Sequence, residues 1–195
     1  MSFFVRRLAR PLPRLPEGSL PAGRVAYLDI ETTGLAAAFA QVTLVGIAWG
    51  DGRERVLEQH FVDAPDREAT VLGRVARLLR GFAGAVTYNG GTFDLPFLRH
   101  RARMLGVRWP WVEQLDLLRA ARRWRRSHGR LPNCCLGTVL AHFGVQRVDE
   151  TSGVDMVNAY RRWLRTGNPA HRSLILDHNA DDVLLLPDLV PHLLG

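Results

Sequence analysis

The sequence predicts an α/β fold with a mixed sheet of five strands, three in an antiparallel meander and the others parallel, flanked by helices. Short apolar or alternating runs separated by Gly and Asp turns fill residues 24–62, and this pattern is typical of strands. Beyond residue 66, apolar residues recur every three to four positions, as in amphipathic helices. The 195 residues, 47% of them hydrophobic, are enough for one domain with a substantial core.

The first three strands are predicted at RVAYLDI from Arg24, QVTLVGIAW from Gln41 and ERVLEQHFV from Glu54. Their short connections favour antiparallel pairing. Residues 1–22 contain Arg and Pro without sustained periodicity, so we expect an extended arm that lies on the domain or is partly disordered. The domain itself is expected to span residues 23–195.

Helices and two further strands follow. An amphipathic helix is predicted over residues 66–82 and AVTYN after it as a fourth strand, which indicates a right-handed crossover and a parallel neighbour. FDLPFLRHRARML is predicted as a helix that tolerates Pro96 in its first turn. A short fifth strand, WVEQLDL, precedes the basic helix LLRAARRWRRS, and the remaining helices are interrupted at Gly144, Gly153, Gly167 and Pro169.

The charge balance favours a polyanionic partner. The 26 basic residues, all of them Arg, exceed the 19 acidic ones, which gives a formal net charge of +7 and a pI near 10.8. Nucleic acid is the first candidate and an anionic membrane surface the second. The coding bias of the source genome explains the exclusive use of Arg equally well, but a guanidinium suits phosphate in either case.

The sequence also argues against several other classes. The apolar run before Arg6 is too short for a signal peptide, and no stretch approaches the ~20 apolar residues of a membrane span, so a cytoplasmic protein without membrane contact is expected. Cys134 and Cys135 are predicted to be free thiols, since adjacent cysteines rarely form a comfortable disulfide. A zinc site that used them with His142 would need two further ligands, and the sequence offers none nearby.

A pair of acids on the first predicted strand is the leading candidate for chemistry. In YLDIETTGL, Asp29 and Glu31 are two positions apart and so project from one face of the sheet. Two buried carboxylates are unfavourable unless a cation compensates them, although a strand end with one capping and one solvated acid has the same pattern. Thr32, Thr33 and the glycine after them form a turn whose N–H groups can approach a nucleotide.

Two further motifs supply acids. In TYNGGTFDLPFL, Asp94 begins a predicted helix, where it is either an N-cap or, with the first pair, part of a metal site. In LDHNADDVLLL, His178 and Asp182 are four positions apart and share a helical face, whereas Asp181 faces a slightly different direction. A solvated acidic turn with an incidental His is the alternative reading of this third motif.

Together these motifs resemble those of the DEDD, or DnaQ-like, exonuclease superfamily, whose members have a ribonuclease H-like fold. YLDIETTGL, TYNG-x-x-FD-x-PFL, RLP-x-C-x-L-x-T and HN-x-x-DV are similar to YprB-type RNase H-like domains, from about Val25 to Leu194. The resemblance is highly specific when the four motifs are taken together, and only modestly specific for each motif alone. The spacing of four between His178 and Asp182 is that of the branch that uses Tyr, whereas the His branch usually has five.

The resemblance implies a two-metal 3′-to-5′ exonuclease that hydrolyses phosphodiester bonds at the ends of single-stranded DNA or RNA, with no obligatory protein partner. Two divalent cations, Mg²⁺ or Mn²⁺, are expected to be the cofactors. The implied metal ligands, which count as catalytic together with the general base His178, are Asp29, Glu31, Asp94 and Asp182. The positions implied to hold the terminal nucleotide are Thr32, Thr33, Leu35, Asn89 and Phe93.

Two other functions stay open at this point. An endonuclease on the same fold would act on RNA–DNA hybrids or structured nucleic acid, but the acid pair on the first strand matches exonuclease-type placement better. A non-catalytic nucleic-acid-binding module of a repair assembly would keep the fold and the basic surface without activity. A basic and aromatic cluster that either tracks a phosphate backbone or is a solvated helix face consists of Arg122, Arg123, Trp124, Arg125 and Arg126.

Overall fold

A six-stranded mixed sheet lies at the centre of the computed structural model, which describes residues 2–149 and 151–195. The strands are β1 (Ser2–Leu8), β2 (Val25–Thr32), β3 (Val42–Asp51), β4 (Glu54–Phe61), β5 (Gly84–Thr87) and β6 (Glu113–Asp116). Across the sheet they follow the order β1-β4-β3-β2-β5-β6. The pairs from β1 to β2 are antiparallel, while β5 and β6 continue parallel to β2. The α/β class, the meander and the parallel strands are therefore confirmed.

The predicted count of five strands is wrong, because the start of the N-terminal arm forms a sixth. Residues 2–8 pair antiparallel with β4 along the edge of the sheet, with Phe4 opposite Gln59. An edge strand with both faces largely open needs no alternation of apolar and polar residues, and Phe3 and Val5 are indeed about half exposed. Backbone pairing and a few side-chain contacts hold this strand, and neither leaves a periodicity in the sequence. The first residue of the arm, Met1, lies outside the described residues.

The next part of the arm is tied to the domain by a buried arginine. Arg55 on β4 is only 2% exposed, and its guanidinium donates to the carbonyl oxygens of Pro11 and Leu184. The same guanidinium forms an ion pair with Asp188 at 2.6 Å, and Arg10 of the arm reaches the other oxygen of that carboxylate at 2.7 Å. A buried Arg with all these partners is satisfied, so the arm lies on the domain at this point.

Helices cover both faces of the sheet, as predicted. On one face pack α1 (Glu68–Leu79), preceded by a 3₁₀ turn at Pro65–Arg67, and α2 (Asp94–Met104). The other face carries α3 (Leu117–His128), α4 (Leu136–His142), α5 (Gly153–Thr166) and α6 (Pro169–Leu194). No helix in the described part of the chain is both long and apolar enough to cross a membrane.

The alternation of β2 directs its acids toward α6. Leu28 and Ile30 point into the core beneath α1 and α2. Tyr27, Asp29 and Glu31 therefore point to the opposite face, where Tyr27 packs in the cluster that includes α6 residues. The sheet thus presents the two carboxylates to the helix that carries the third motif.

Candidate active site

Asp29 and Glu31 lie near the end of β2, in the interior of the sheet. Antiparallel β3 flanks this strand on one side and parallel β5 on the other. Glu31 is 6% exposed, and the register with β3 shifts between Glu31 and Thr32. Such an irregularity ends regular pairing and redirects the following residues, as is common beside functional sites. The hydroxyl of Thr32 donates to the carbonyl oxygen of Gly34 at 2.9 Å and closes the turn.

Asn179 on α6 holds the carboxylate of Asp29. Its amide nitrogen donates to Oδ2 of Asp29 at 2.9 Å, and its Oδ1 accepts from the Gln59 side chain at 3.0 Å. Gly46 lies between Asp29 and Gln59 in the sheet register. A Cβ atom on Gly46 would lie 2.1 Å from Oδ1 of Asn179, so only glycine leaves room for this amide.

Asp94 does not cap its helix. Phe93 occupies the N-cap position of α2 and makes no side-chain cap hydrogen bond, and Asp94 is the first helical residue. Its side chain turns to β2, where Oδ1 accepts from the backbone N–H of Ile30 at 3.2 Å, and it is 3% exposed. The N-cap alternative therefore does not apply. Asp94 of the second motif contacts β2 at Ile30, the residue between the two acids of the first motif.

His178 and Asp182 lie on the turn of α6 that faces β2. Nε2 of His178 is 3.9 Å from Oε1 of Glu31 and 3.7 Å from Oδ2 of Asp182. Both distances exceed hydrogen-bond range, so Nε2 faces the acids and forms no hydrogen bond with Glu31 or Asp182. His178 is 5% exposed.

The other ring nitrogen of His178 is held by the connection between α4 and α5. Nδ1 contacts the carboxylate of Asp149, and the Thr151 hydroxyl donates to both oxygens of that carboxylate. Burial alone would raise the pKa of Asp149, but the hydrogen bonds from Thr151 and His178 outweigh it and lower the pKa. An ionised carboxylate only accepts, so Nδ1 donates to Asp149, and in the neutral form of this tautomer the lone pair is on Nε2. This arrangement was not predicted from the sequence.

Arg147 of the same connection is a second group that was not predicted. Its Nη2 atom lies 2.7 Å from Oδ1 of Asp182, without hydrogen-bond geometry, so this buried oxygen has a charge partner but no hydrogen-bond donor. Asp181 fixes the connection, since its Oδ2 accepts from the backbone N–H groups of Val148 and Asp149. Asp181 thus positions the loop and does not face the other acids.

Burial, together with mutual proximity, raises the pKa values of the acids. Burial is the largest cause for Asp29 and Glu31, whose pKa values lie well above the ordinary range, and the neighbouring carboxylates raise both further. Burial also raises the pKa of Asp94 to about 7, although two backbone hydrogen bonds oppose it. The pKa of Asp182 is raised by burial and lowered in part by Arg147. Such a cluster favours any ligand that adds positive charge.

A pocket of about 480 Å³ opens beside these acids. Of the residues predicted from the sequence, those that line it are Asp29, Glu31, Thr32, Leu35, Phe93, His178 and Asp182. Asp94 lies behind the pocket against Ile30. Thr33 instead closes the turn, because it exchanges hydrogen bonds with Gln41. Asn89 lines a neighbouring groove. Two α5 residues, Val154 and Val157, complete the apolar wall and were not predicted.

Comparison with known proteins identifies the family. A sequence profile described as the RNase H superfamily matches residues 26–194. This chain belongs to the RNase H superfamily. It is similar to the uncharacterized protein YprB of Bacillus subtilis, with 30% identity over 173 residues that cover 86% of this chain and 41% of YprB. The chain thus spans about two fifths of that relative, and the predicted resemblance to YprB-type domains is confirmed.

Two solved structures share the fold. The family B DNA polymerase of Pyrobaculum calidifontis superposes with a TM-score of 0.67 and 22% identity, over 97% of this chain and 29% of the polymerase. The zinc-bound complex of E. coli ExoI with single-stranded DNA superposes with a TM-score of 0.52 and 17% identity, over 80% of this chain and 43% of ExoI. At these identities the likeness concerns the fold, and the predicted ribonuclease H-like architecture is confirmed.

The donor set of this RNase H superfamily member fits a hard divalent cation. Carboxylate oxygens are the ligands that Mg²⁺ and Mn²⁺ prefer, and Oδ1 of Asp182 is a buried oxygen without a hydrogen bond. Among the described residues, however, no three acidic, His or Cys side chains already stand around one point in ligand geometry. The carboxylates would have to approach one another, and a cation supplies the charge that permits it.

The same carboxylates predict how the stability of the metal-free protein depends on pH. A carboxyl group whose pKa is raised by folding binds more protons in the native state, so stability decreases as pH rises through the native pKa, by up to about 1.4 kcal/mol per pH unit for each group. Asp94, at about 7, sets the window of pH 6.5–8. Below pH 6.5 the buried His60 has the opposite effect on stability. Its pKa is lowered to about 4, so stability rises with pH there.

We therefore expect the melting temperature in chelator to decrease from pH 6.5 to 8, and Mn²⁺ or Mg²⁺ at pH 8 to restore it. Circular dichroism melts measure both effects. Asp94→Asn is the matched variant, because it removes the group that titrates in this window. A melting temperature that is constant or rises with pH in chelator, or that does not respond to the cations, would contradict the expectation.

Proposed function

We propose that this chain is a metal-dependent 3′-to-5′ exonuclease that hydrolyses phosphodiester bonds at the ends of single-stranded DNA or RNA. The observation that carries the proposal is the convergence of three separate stretches of sequence on one pocket. They place buried acids beside an imidazole whose Nδ1 contacts Asp149 and whose Nε2 faces the acids. Support also comes from the shared fold of ExoI, which was solved with single-stranded DNA.

In the proposed reaction, a water oxygen attacks the phosphorus of the terminal phosphodiester. The bond from phosphorus to the 3′ oxygen of the preceding nucleotide breaks, and a 5′-mononucleotide leaves. His178 accepts the proton of the water at Nε2, because Asp149 holds the proton of the ring on Nδ1. Asp29, Glu31, Asp94 and Asp182 would hold two divalent cations, which when bound lower the pKa of water and stabilise charge on the leaving oxygen.

The lining of the pocket supports the proposal of a strand end over an internal position. Its apolar wall of Leu35, Phe93 and Val154 lies directly beside the acids. Such a wall fits the base and sugar of one nucleotide, while the carboxylates lie where its phosphate would be processed. Leu35 is 86% exposed, so it is available for a contact that the protein itself does not make.

The alternative of a binding module without activity takes its support from Arg147. A guanidinium 2.7 Å from Asp182 occupies a carboxylate that the cations need. If Arg147 stays there, the protein binds nucleic acid and leaves it intact. The two functions differ in whether divalent cations displace this ion pair.

Incubation of single strands labelled at the 5′ end with Mn²⁺, Mg²⁺ or chelator tests the proposal. A ladder that shortens from the 3′ end and disappears in chelator is the expected result, and DNA and RNA compared side by side define the substrate. Discrete internal fragments would replace the proposal with an endonuclease. Intact strands that are nevertheless bound would replace it with the binding module.

Asp149 is proposed as the residue that positions His178. Asp149→Asn lets an amide N–H point at Nδ1, which favours the tautomer with the proton on Nε2 and removes the base. We expect kcat to decrease about 10- to 100-fold with KM within about twofold. Asp155→Asn is the control, since that carboxylate caps the start of α5. Equal losses in both variants, or a loss confined to KM, would show that Asp149 only stabilises the loop.

A further inference from the structure

A groove of about 500 Å³ lies between α3 and the segment that leads into α4. Tyr88 and Asn89, after the end of β5, line one side of it, and Arg122 and Arg125 line another. In the register of β2 with β5, Tyr27 is opposite Val86. Asp29 lies two residues further along β2, and Tyr88, just after the end of β5, packs in the same cluster as Tyr27 and Val86, so both side chains lie on the same face of the sheet. The groove thus begins one strand away from the candidate active site.

The helix beside this groove has an excess of unpaired positive charge. Its exposed arginines are Arg119, Arg122, Arg123, Arg125 and Arg126. Within the residues that the structure describes, none of them forms an ion pair with a carboxylate, unlike Arg6, Arg7, Arg10, Arg55, Arg101 and Arg147. A solvated helix face that served only stability would gain from interspersed acids, and this face has none.

The aromatic part of the cluster predicted from the sequence is not available for bases. The ring of Trp124 stacks on His128 with centroids 4.3 Å apart, and Phe143 of the segment after α4 packs against it at 5.2 Å. Trp124 therefore joins α3 to α4. The exposed face of α3 that remains is charged and has no free aromatic residue, and such a surface contacts the sugar-phosphate backbone instead of stacking bases.

We propose that this groove binds the phosphates of the substrate strand next to the scissile one, on the side away from Leu35. The inference rests on the proposed function, because it extends the path of the same strand. Arg122 has no side-chain hydrogen bond within the described residues, and Arg125 uses only Nε, which donates to the carbonyl oxygen of Leu131 at 2.9 Å. Both guanidinium groups therefore retain donors for phosphate oxygens.

Binding without cleavage tests the groove. The probe is a fluorescent dT12 strand in chelator, titrated with wild type and with the Arg122→Ala/Arg125→Ala variant at several salt concentrations. The loss of two phosphate contacts is expected to weaken binding on the order of tenfold at 0.1 M salt and to reduce the salt slope by about 1.4. The matched control is Arg53→Ala/Arg77→Ala, which removes the same charge at the end of the sheet where β2 begins.

Cys135 provides a second readout at the same place. The chain has two cysteines, and Cys135 is exposed and lines the groove, whereas Cys134 is half-buried. We expect dT12 to slow alkylation of Cys135 by a maleimide at least about fivefold, and the double Arg variant to lose this protection. Mass spectrometry of the labelled peptide measures it.

The outcomes separate this inference from the proposed function. The protein could degrade strands but show no protection of Cys135, or its two double variants could weaken binding equally. Either outcome would overturn strand binding in the groove and leave the proposed nuclease function standing. A protein that leaves strands intact but shows protection that depends on Arg122 and Arg125 would support the groove and overturn the nuclease.

Discussion

Asp29→Asn is expected to abolish cleavage while it stabilises the metal-free protein. Burial of the Asp29 carboxylate, together with repulsion from the other three acids, raises its pKa well above the ordinary value. The neutral amide removes this repulsion, so the melting temperature in chelator at pH 8 is expected to rise. The loss of a ligand that the cations require is expected to reduce the rate at least about 10³-fold, or about 4 kcal/mol.

The strand-shortening assay measures the rate, circular dichroism melts in chelator measure the stability, and calorimetric titration with Mn²⁺ measures the metal affinity. Asp177→Asn is the control on the same helix, since that exposed carboxylate pairs with Arg6 on β1. We expect its activity to stay within about twofold of wild type. If Asp29→Asn kept its activity, or lost activity without losing Mn²⁺ affinity, the assignment of Asp29 as a metal ligand would be wrong.

Gly46→Ala is expected to damage both stability and activity, although Gly46 itself touches no substrate. The added methyl group would lie 2.1 Å from Oδ1 of Asn179 and 2.9 Å from Cγ2 of Val183. Both residues are on α6, so the helix that carries His178 and Asp182 must move away from β3. Overpacking and the lost amide contacts are expected to cost about 2–4 kcal/mol, and activity should fall at least about tenfold.

Urea denaturation and the same cleavage assay measure this effect. Gly73→Ala on α1 is the matched control, because a Cβ there meets nothing within 4 Å and alanine favours a helix. It should leave stability unchanged or raise it by up to about 1 kcal/mol. Asn179→Ala removes the closest clash. The double variant should therefore be destabilised by less than the sum of the two single losses in the free energy of unfolding. If the two losses are additive, Asn179 does not lie against Gly46.

Much of the fold could be predicted because β2, β3 and β4 are interior strands and their burial leaves a pattern in the sequence. The apolar runs of the sequence coincide with these strands, and the segments with apolar residues every three to four positions coincide with helices. The edge strand β1 left no such pattern, since it is held by backbone pairing and by a few side-chain contacts at the surface. Trp124 was similarly ambiguous, because an aromatic residue between arginines suits both a base platform and a helix contact.

The sequence by itself determined which side chains share a face. The spacing of two between Asp29 and Glu31 and of four between His178 and Asp182 follows from the periods of strand and helix, which act over a few residues. Only the tertiary structure decided what holds these groups. The contact of Asp149 with His178 spans 29 residues, and that of Asn179 with Asp29 spans 150. No local period encodes such contacts, because they depend on how loop, helix and sheet pack together.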